Sequence, residues 1–410
     1  MLRSDRKDIF ILFATRIVRL FCYGFLSVVL ALYLIQVGLN EKIIGLIFTL
    51  TLAGDAGVSL WLTTSADRLG RQRTLIVGAL LMIGAGVVFI FTRNPIALAI
   101  AAIIGVISPS GNEIGPFLSV EQAALTQLLP GERRTQTFAW YALAGSLATA
   151  TGALAGGWLA QGLQVSGFSA FNAYRVVLAG YALGGLILIG FFLLLSPAVE
   201  VKSADKVEQK LFLGLHRSRS VVMRLSGLFA MDAFAGALLV QSLLAYWFHV
   251  KYGVDTGILG SIFFGANILA GLSALFAARI AKRFGLINTM VFTHIPSNIL
   301  LILVPLMPNL PLAIAVLLAR FSISQMDVPT RQSYTMAVVA PDERSAASGV
   351  TTIARSVGAA LSPSLAGLLM AVPATFSVPF FLSGGLKIVY DVLLFKSFRG
   401  LKPPEEKVLR

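Results

Sequence analysis

Apolar runs long enough to cross a bilayer recur along this chain, at residues 9–37, 43–66, 74–92, 96–128, 136–161, 172–195, 221–249, 257–280, 287–307, 309–339, 345–371 and 375–396. A bilayer core takes about 20 residues of helix. It holds no water to satisfy an open sheet edge, so each run is expected to form one helix. Twelve spans of about 21 residues use roughly 250 of the 410 positions. Charged residues make up 13% of the chain, about half the roughly 25% of a soluble protein, and the mean hydropathy is +0.83. Those values exclude a soluble enzyme, a disordered chain and a nucleic-acid binder, despite a net charge of +14.

Cys22 is the single cysteine and the three histidines are scattered, so neither a disulfide framework nor a metal site is expected, and no cofactor. The first apolar run is too long for a cleavable signal and should remain as a helix. With the N-terminus placed inside, 22 Lys and Arg fall on the cytoplasmic side, against Lys42, Arg93 and Lys251 opposite. The bias puts both termini in the cytoplasm and accounts for the net charge as orientation and lipid contact. A multi-pass monomer in the plasma membrane is the expectation.

The chain also repeats itself. Gly38 to Phe48 is echoed by Gly253 to Phe263 at an offset of 215, which also carries Asp67-Arg68-Leu69-Gly70 onto Lys282-Arg283-Phe284-Gly285. Ser108 to Glu113 answers Ser322 to Asp327 at 214, and Pro130 to Arg133 answers Pro341 to Arg344 at 211. An even number of spans per unit keeps both copies in the same orientation, with a site expected between them near the midplane. The expected domains are a first six-helix bundle at 1–195, a linker at 196–220, a second bundle at 221–398 and a tail at 399–410.

The loop Thr63-Thr-Ser-Ala-Asp67-Arg68-Leu-Gly70-Arg71-Gln-Arg73 resembles the signature Gly-x-x-x-Asp-Arg-x-Gly-Arg-basic of the major facilitator superfamily, with Thr63 and Gln72 as departures. The resemblance implies an all-α polytopic fold of two pseudo-symmetric six-helix bundles. It also implies a conformational latch at Asp67, Arg68, Gly70 and Arg71, where Gly70 permits the turn and Asp67 and Arg71 form charge-assisted bonds. The run Gly145 to Gly157, with Gly152 and Gly156 between, resembles the antiporter pattern Gly-Pro-x-x-Gly-Gly of the efflux branch, with Ala153 in place of proline. Small faces of this kind serve plain helix packing equally well.

Ionisable residues at bilayer depth are functional candidates. Here they are Arg16 and Arg19 on the first span, Asp55 on the second, Glu113 and Glu121 on the fourth, Asp232 on the seventh, Arg320, Asp327 and Arg331 on the tenth, and Arg355 on the eleventh. In the resembled fold the first, fourth, seventh and tenth helices line the cavity and the second, fifth, eighth and eleventh flank it. Glu113 and Asp327, at corresponding positions of the repeat, are the preferred proton carriers, with Asp55 and Asp232 next as isolated acids. Asp327 and Arg331 are one turn apart, a spacing that allows them to pair, which is the alternative to a proton-carrying Asp327.

Arg19 and Arg355 stay charged, so they either neutralise carboxylates or bind an anion. Tyr23, Asn112, Gln122, Gln241, Gln325 and Tyr334 are further cavity candidates. Lys387 and Asp391 are expected to neutralise one another, and His294 and Asn298 to serve packing or the lipid interface.

No nucleotide-binding loop is present. The chain therefore reads as a secondary active transporter of a small molecule working by alternating access, with proton-coupled export preferred. The alternatives are an organic-anion exchanger or uniporter using the midplane arginines, and a non-transporting membrane sensor.

Overall fold

The computed structural model describes residues 3–113, 115–129, 131–200, 215–340 and 343–401. Within these, the side chains of residues 3–5, 64, 67, 68, 131–133, 135 and 345 are left undescribed. The described residues form α-helices joined by short turns, with no strand among them. In chain order they are α1 Arg3–Ser27, α2 Leu30–Val37, α3 Glu41–Leu69, α4 Arg71–Phe91, α5 Pro95–Ile104, α6 Phe117–Leu128, α7 Gly131–Val165 and α8 Ala170–Leu193. The second repeat supplies α9 Arg219–Ala237, α10 Gln241–Tyr252, α11 Thr256–Phe284, α12 Leu286–Leu303, α13 Leu310–Phe321, α14 Asp327–Val338, α15 Arg344–Met370 and α16 Val378–Phe398. Among the described residues, ten stretches are long and apolar enough to cross a membrane, and α5 and α13 are shorter apolar helices. Counting those two with α6 and α14 gives the twelve runs of the sequence.

Eight runs are single helices, whereas the first and fourth of each repeat are each broken in two. This corrects the expectation of one helix per run. The fourth breaks where Pro109 and Pro116 remove backbone donors, and where Gly111 and Gly115 take positive φ of 70° and 81°. At lipid depth an unpaired backbone group costs several kcal/mol, so such breaks survive only where protein satisfies them. Here it does: Gly115 N–H donates to Asp55 Oδ1 at 2.5 Å, and the Tyr181 hydroxyl donates to Val106 O. In the tenth run, Gln325 N–H donates to Ser273 Oγ at 3.2 Å.

The duplication is visible in the backbone. Gly38 and Gly253, 215 residues apart, end α2 and α10 with φ of 101° and 65°. Gly70 and Gly285 turn the chain between α3 and α4 and between α11 and α12, with φ of 97° and 87°. These are left-handed positions that a Cβ resists.

The chain forms two compact units, Met1–Glu208 with Val240–Phe264, and Gln209–Leu239 with Gly265–Arg410. The units therefore do not follow the repeat boundary, because α10 and the first turns of α11 pack with the first repeat. In the first unit α1 lies against α7 across a seam of small residues. A Cβ on Gly24 would meet the Thr149 carbonyl, and one on Gly152 or Gly156 would meet the carbonyl of Phe21 or Phe25. In the second unit α15 lies against α9 in the same manner, with Gly358 on the Ala230 carbonyl. Outward faces of both units expose large apolar side chains such as Trp61, Leu183, Phe292 and Leu361, as a lipid-facing surface requires.

Candidate functional site

Each unit holds one cluster of charges at membrane depth. In the first unit, α1 places Arg16 and Arg19 one turn apart, toward the break of the fourth span. Arg19, fully buried, donates from Nε to Glu113 Oε1 at 2.7 Å and bidentately to Glu121 at 2.7 and 2.8 Å. Arg16 reaches Glu113 Oε2 at 2.7 Å and the Tyr141 carbonyl at 2.8 Å. Glu121 also accepts from Thr15 Oγ1 at 2.8 Å and from the Tyr141 hydroxyl. The guanidiniums lie over aromatic rings, Arg16 over Tyr141 at 4.4 Å and Arg19 over Phe117 at 4.6 Å. Two cations and two acids thus balance, and Arg19 is consumed by carboxylates.

In the second unit the polarity is reversed: the first span of the repeat carries the acid and the fourth carries an arginine. Asp232 of α9, expected as an isolated acid, accepts from Lys387 Nζ at 2.8 Å and from Arg331 and Arg355 at 3.1 Å each. Arg331 also pairs with Asp327 at 2.9 Å, as the one-turn spacing suggested. Lys387 and Asp391 do not neutralise one another. Lys387 is drawn across to Asp232, and Asp391 accepts from His294 at 2.9 Å and from Asn298 at 3.2 Å. His294 and Asn298 are buried, not at a lipid interface. Helical i, i+4 spacing allows a pair, but a stronger or better-shielded partner on another helix overrides it.

The cluster's cations differ in how they are held. The Arg355 side chain is 33% exposed and has a single 3.1 Å bond. Arg320, near the end of α13, stacks at 4.9 Å on Phe321, and its buried Nε has no hydrogen-bond partner. No carboxylate among the described residues pairs with it. Sequence reasoning listed Arg320 but did not carry it into the site, and it set Lys387 aside.

The remaining candidates are dispersed. Asp55 holds Ser59 at 3.0 Å and the Gly115 amide. Tyr23 is fully buried, Asn112 and Gln122 are exposed, and Gln325 lies at the break between α13 and α14. The Tyr334 hydroxyl donates to the Leu401 carbonyl at 2.9 Å. Gln241 donates to Ser27 Oγ at 2.7 Å, where α10 meets the first repeat. Beside it the Ser242 hydroxyl lies 2.7 Å from both the Ser27 and Pro109 carbonyls, across the breaks of the first and fourth spans. Arg175 of α8, absent from the sequence account of membrane charges, lies over Phe171 at 5.5 Å.

At the latch loop, the Asp67 and Arg68 side chains fall outside the described residues. Arg71 is buried and donates to Gln127 at 2.9 Å and to the Val199 carbonyl at 3.1 Å. Glu200 accepts from the backbone amides of Arg71 and Gln72 at 2.7 and 3.0 Å, capping α4 with a carboxylate. Glu343 accepts from the amides of His216, Arg217 and Ser218, in the turn that leads into α9. The Ser218 side chain and these amides hold the Glu343 carboxyl well below the usual range, at about 2.

Long apolar helices, broken spans and paired charges at membrane depth are, among the described residues, the features of a polytopic membrane protein. The family profile described as Major Facilitator Superfamily matches residues 12–363 and 251–410. An uncharacterized membrane protein of Saccharomyces cerevisiae, YJR124C, is 31% identical over 96% of this chain and 95% of its own. Among solved structures, a bacterial homologue of the human lysosomal transporter Spinster superposes with a TM-score of 0.76 at 15% identity, covering 97% of this chain and 98% of that one. The nucleoside transporter NupG superposes with a TM-score of 0.75 at 14% identity, covering 97% and 100%. The chain belongs to the Major Facilitator Superfamily. It is a multi-pass secondary transporter of a small molecule, not an enzyme.

Proposed function

We propose that the substrate is a small organic anion, taken by the cluster of the second unit and moved by alternating access. The observation that carries this reading is a surplus of cations. Arg320, Arg331, Arg355 and Lys387 stand against Asp232, Asp327 and Asp391, with Arg320 in no ion pair among the described residues, its nearest opposing charge being Asp327 already held by Arg331, and Arg355 partly exposed. A guanidinium at bilayer depth without a counter-ion is costly, and its fixed fork suits a carboxylate. The bias of basic residues toward one side supports cytoplasmic termini.

Uptake of labelled mono- and dicarboxylates into proteoliposomes tests it. Arg355→Gln and Arg320→Gln should each lower uptake at least tenfold, while neutral and cationic solutes should not be carried. Uptake of a neutral solute that survives both substitutions removes the reading.

Proton-coupled export, the mode suggested by the resemblance to the efflux branch, is favoured by one observation. Asp55 is a membrane acid whose described partners, Ser59 and the Gly115 amide, are neutral. Glu113 and Asp327, by contrast, are held by arginines and accept a proton only if those pairs open. Loss of pH-gradient stimulation in Asp55→Asn, with substrate binding retained, is the outcome this second reading requires.

A further inference from the structure

Two buried groups, His294 and Asp391, have no assigned role in binding the anion, although Asp391 belongs to the cluster's charge balance. They join α12 to α16, outside the helices that carry the anion-binding arginines, and His294 lies eight residues into α12, about 12 Å along it. His294 Nδ1 is 2.9 Å from Asp391 Oδ1, and Asn298 Nδ2 holds Asp391 Oδ2 at 3.2 Å. The helices are pressed together here, since a Cβ on Gly384 would lie 2.9 Å from the Asn298 carbonyl oxygen. The Tyr390 ring stands edge-on to the imidazole, with centroids 6.0 Å apart. Asn298 Oδ1 is buried with no partner among the described residues.

From this arrangement we infer that the His294–Asp391 pair is a proton-binding site that sets the charge of the neighbouring anion site. Nδ1–H donates to Asp391, so the proton adds at Nε2 and gives an imidazolium paired with a carboxylate. Histidine is the side chain whose charge changes between pH 5 and 8. The link to the anion site is short: Lys387 precedes Asp391 by one turn of α16, Lys387 Nζ is 2.8 Å from Asp232, and Asp232 holds Arg331 and Arg355.

Charged and titratable groups on the elements packed against α12 and α16 are, near the middle of the spans, Asp232 of α9, Arg320 of α13, Asp327, Arg331 and Tyr334 of α14, Arg355 of α15, and Lys387 and Tyr390 of α16. Toward the helix ends are Arg219 and Arg224 of α9, Arg344 of α15 and Lys396 of α16. With neutral His294 the four cations exceed the three acids by one charge. Proton uptake raises the excess to two. In a low-dielectric interior that second charge favours an anion nearby, so one proton and one anion are carried together. The anion half of this statement rests on the function proposed above, whereas the proton half stands on the pair itself.

The test uses the purified full-length protein with its three histidines labelled at 13Cε1, the His294 resonance being assigned by its absence in His294→Gln. A pH-dependent change of the His294 resonance is the result that the proton site requires. Asp391→Asn should move the midpoint down by about one unit or more, and Lys387→Met should move it up, because an anion favours and a cation opposes protonation. A His294 signal that does not change with pH, or a midpoint that Lys387→Met leaves in place, overturns the proton site. The wild-type titration decides even where Asp391→Asn fails to fold. Carboxylate uptake in proteoliposomes should be stimulated by an inward proton gradient, and the stimulation should vanish in His294→Gln. An intact titration together with absent carboxylate uptake would overturn the anion reading and leave the proton site standing.

Discussion

Lys387 Nζ lies 2.8 Å from Asp232 Oδ1, across 155 positions of sequence, and both side chains are almost wholly buried. Asp232 is the hub of its cluster, with Arg331 and Arg355 on its other oxygen. Removing the hub should therefore cost more than removing a spoke. Asp232→Asn, which strands Lys387 and Arg355 and leaves Arg331 with Asp327 alone, should lower stability by about 3–5 kcal/mol. Lys387→Met, which leaves Asp232 with two arginines, should cost about 1–3 kcal/mol. The double variant should be more stable than the sum of the two losses predicts. Thermal unfolding in detergent measures all three, and equal losses for the two single variants would contradict the hub arrangement.

The α1–α7 seam makes a steric prediction. At Gly152 and Gly156 a Cβ runs into a backbone carbonyl of α1, which is not the movable end of a side chain. Gly152→Ala and Gly156→Ala should each destabilise by about 1–3 kcal/mol through forced separation of the helices. Gly162, on the same helix, has nothing within 4 Å of its Cβ position. Gly162→Ala should be neutral or slightly stabilising, since alanine is the better helix former. Midpoint temperatures of the three variants in one detergent give the comparison.

Glu343 predicts a pH dependence. Its carboxyl is held at about 2, against an ordinary 4.5, by the Ser218 side chain and the amides leading into α9. A depressed folded-state value means that the carboxylate's stabilisation is fully present above about pH 4.5 and is lost as the pH falls toward 2. Wild type should therefore be more stable than Glu343→Gln by a constant margin from pH 8 to 5, and the margin should shrink below that. A margin that grows on acidification would contradict this arrangement.

Much of the fold is legible in the sequence because lipid imposes a simple rule: long apolar runs become helices. The 215-residue offset likewise anticipates the paired turns at Gly70 and Gly285. The correspondence of Glu113 with Asp327 holds in that both sit at the break of the fourth span of their repeat. The break itself is written in Pro109, Gly111, Gly115 and Pro116, but a count of apolar residues passes over it.

At residues 28–29 and 238–240 the chain has neither proline nor glycine, and those breaks depend on tertiary partners. The cross-helix pairings of Lys387 with Asp232 and of His294 with Asp391 are hidden for a different reason. Spacing along one helix gives which charges can meet locally, while buried charges go wherever desolvation is best compensated.

The packing of α10 onto the first repeat leads to the last prediction. Ser242 spans two breaks, its hydroxyl 2.7 Å from the Ser27 and Pro109 carbonyls and its amide 3.0 Å from the latter. Tyr246 adds a 2.5 Å bond to Glu41. Were the two repeats to part during transport, these contacts would open, so weakening them should favour the parted state. One hydrogen bond contributes roughly 1 kcal/mol net, equivalent to about a fivefold change in an opening equilibrium.

Because Cys22 is the single cysteine and is buried, replacing it with alanine gives a clean background. A cysteine introduced at Ser110, between the two breaks, then reports opening by its rate of alkylation. Ser242→Ala and Tyr246→Phe should each raise that rate several-fold, and together should raise it further. An unchanged rate in the double variant would mean that these bonds do not hold this end of the transporter closed.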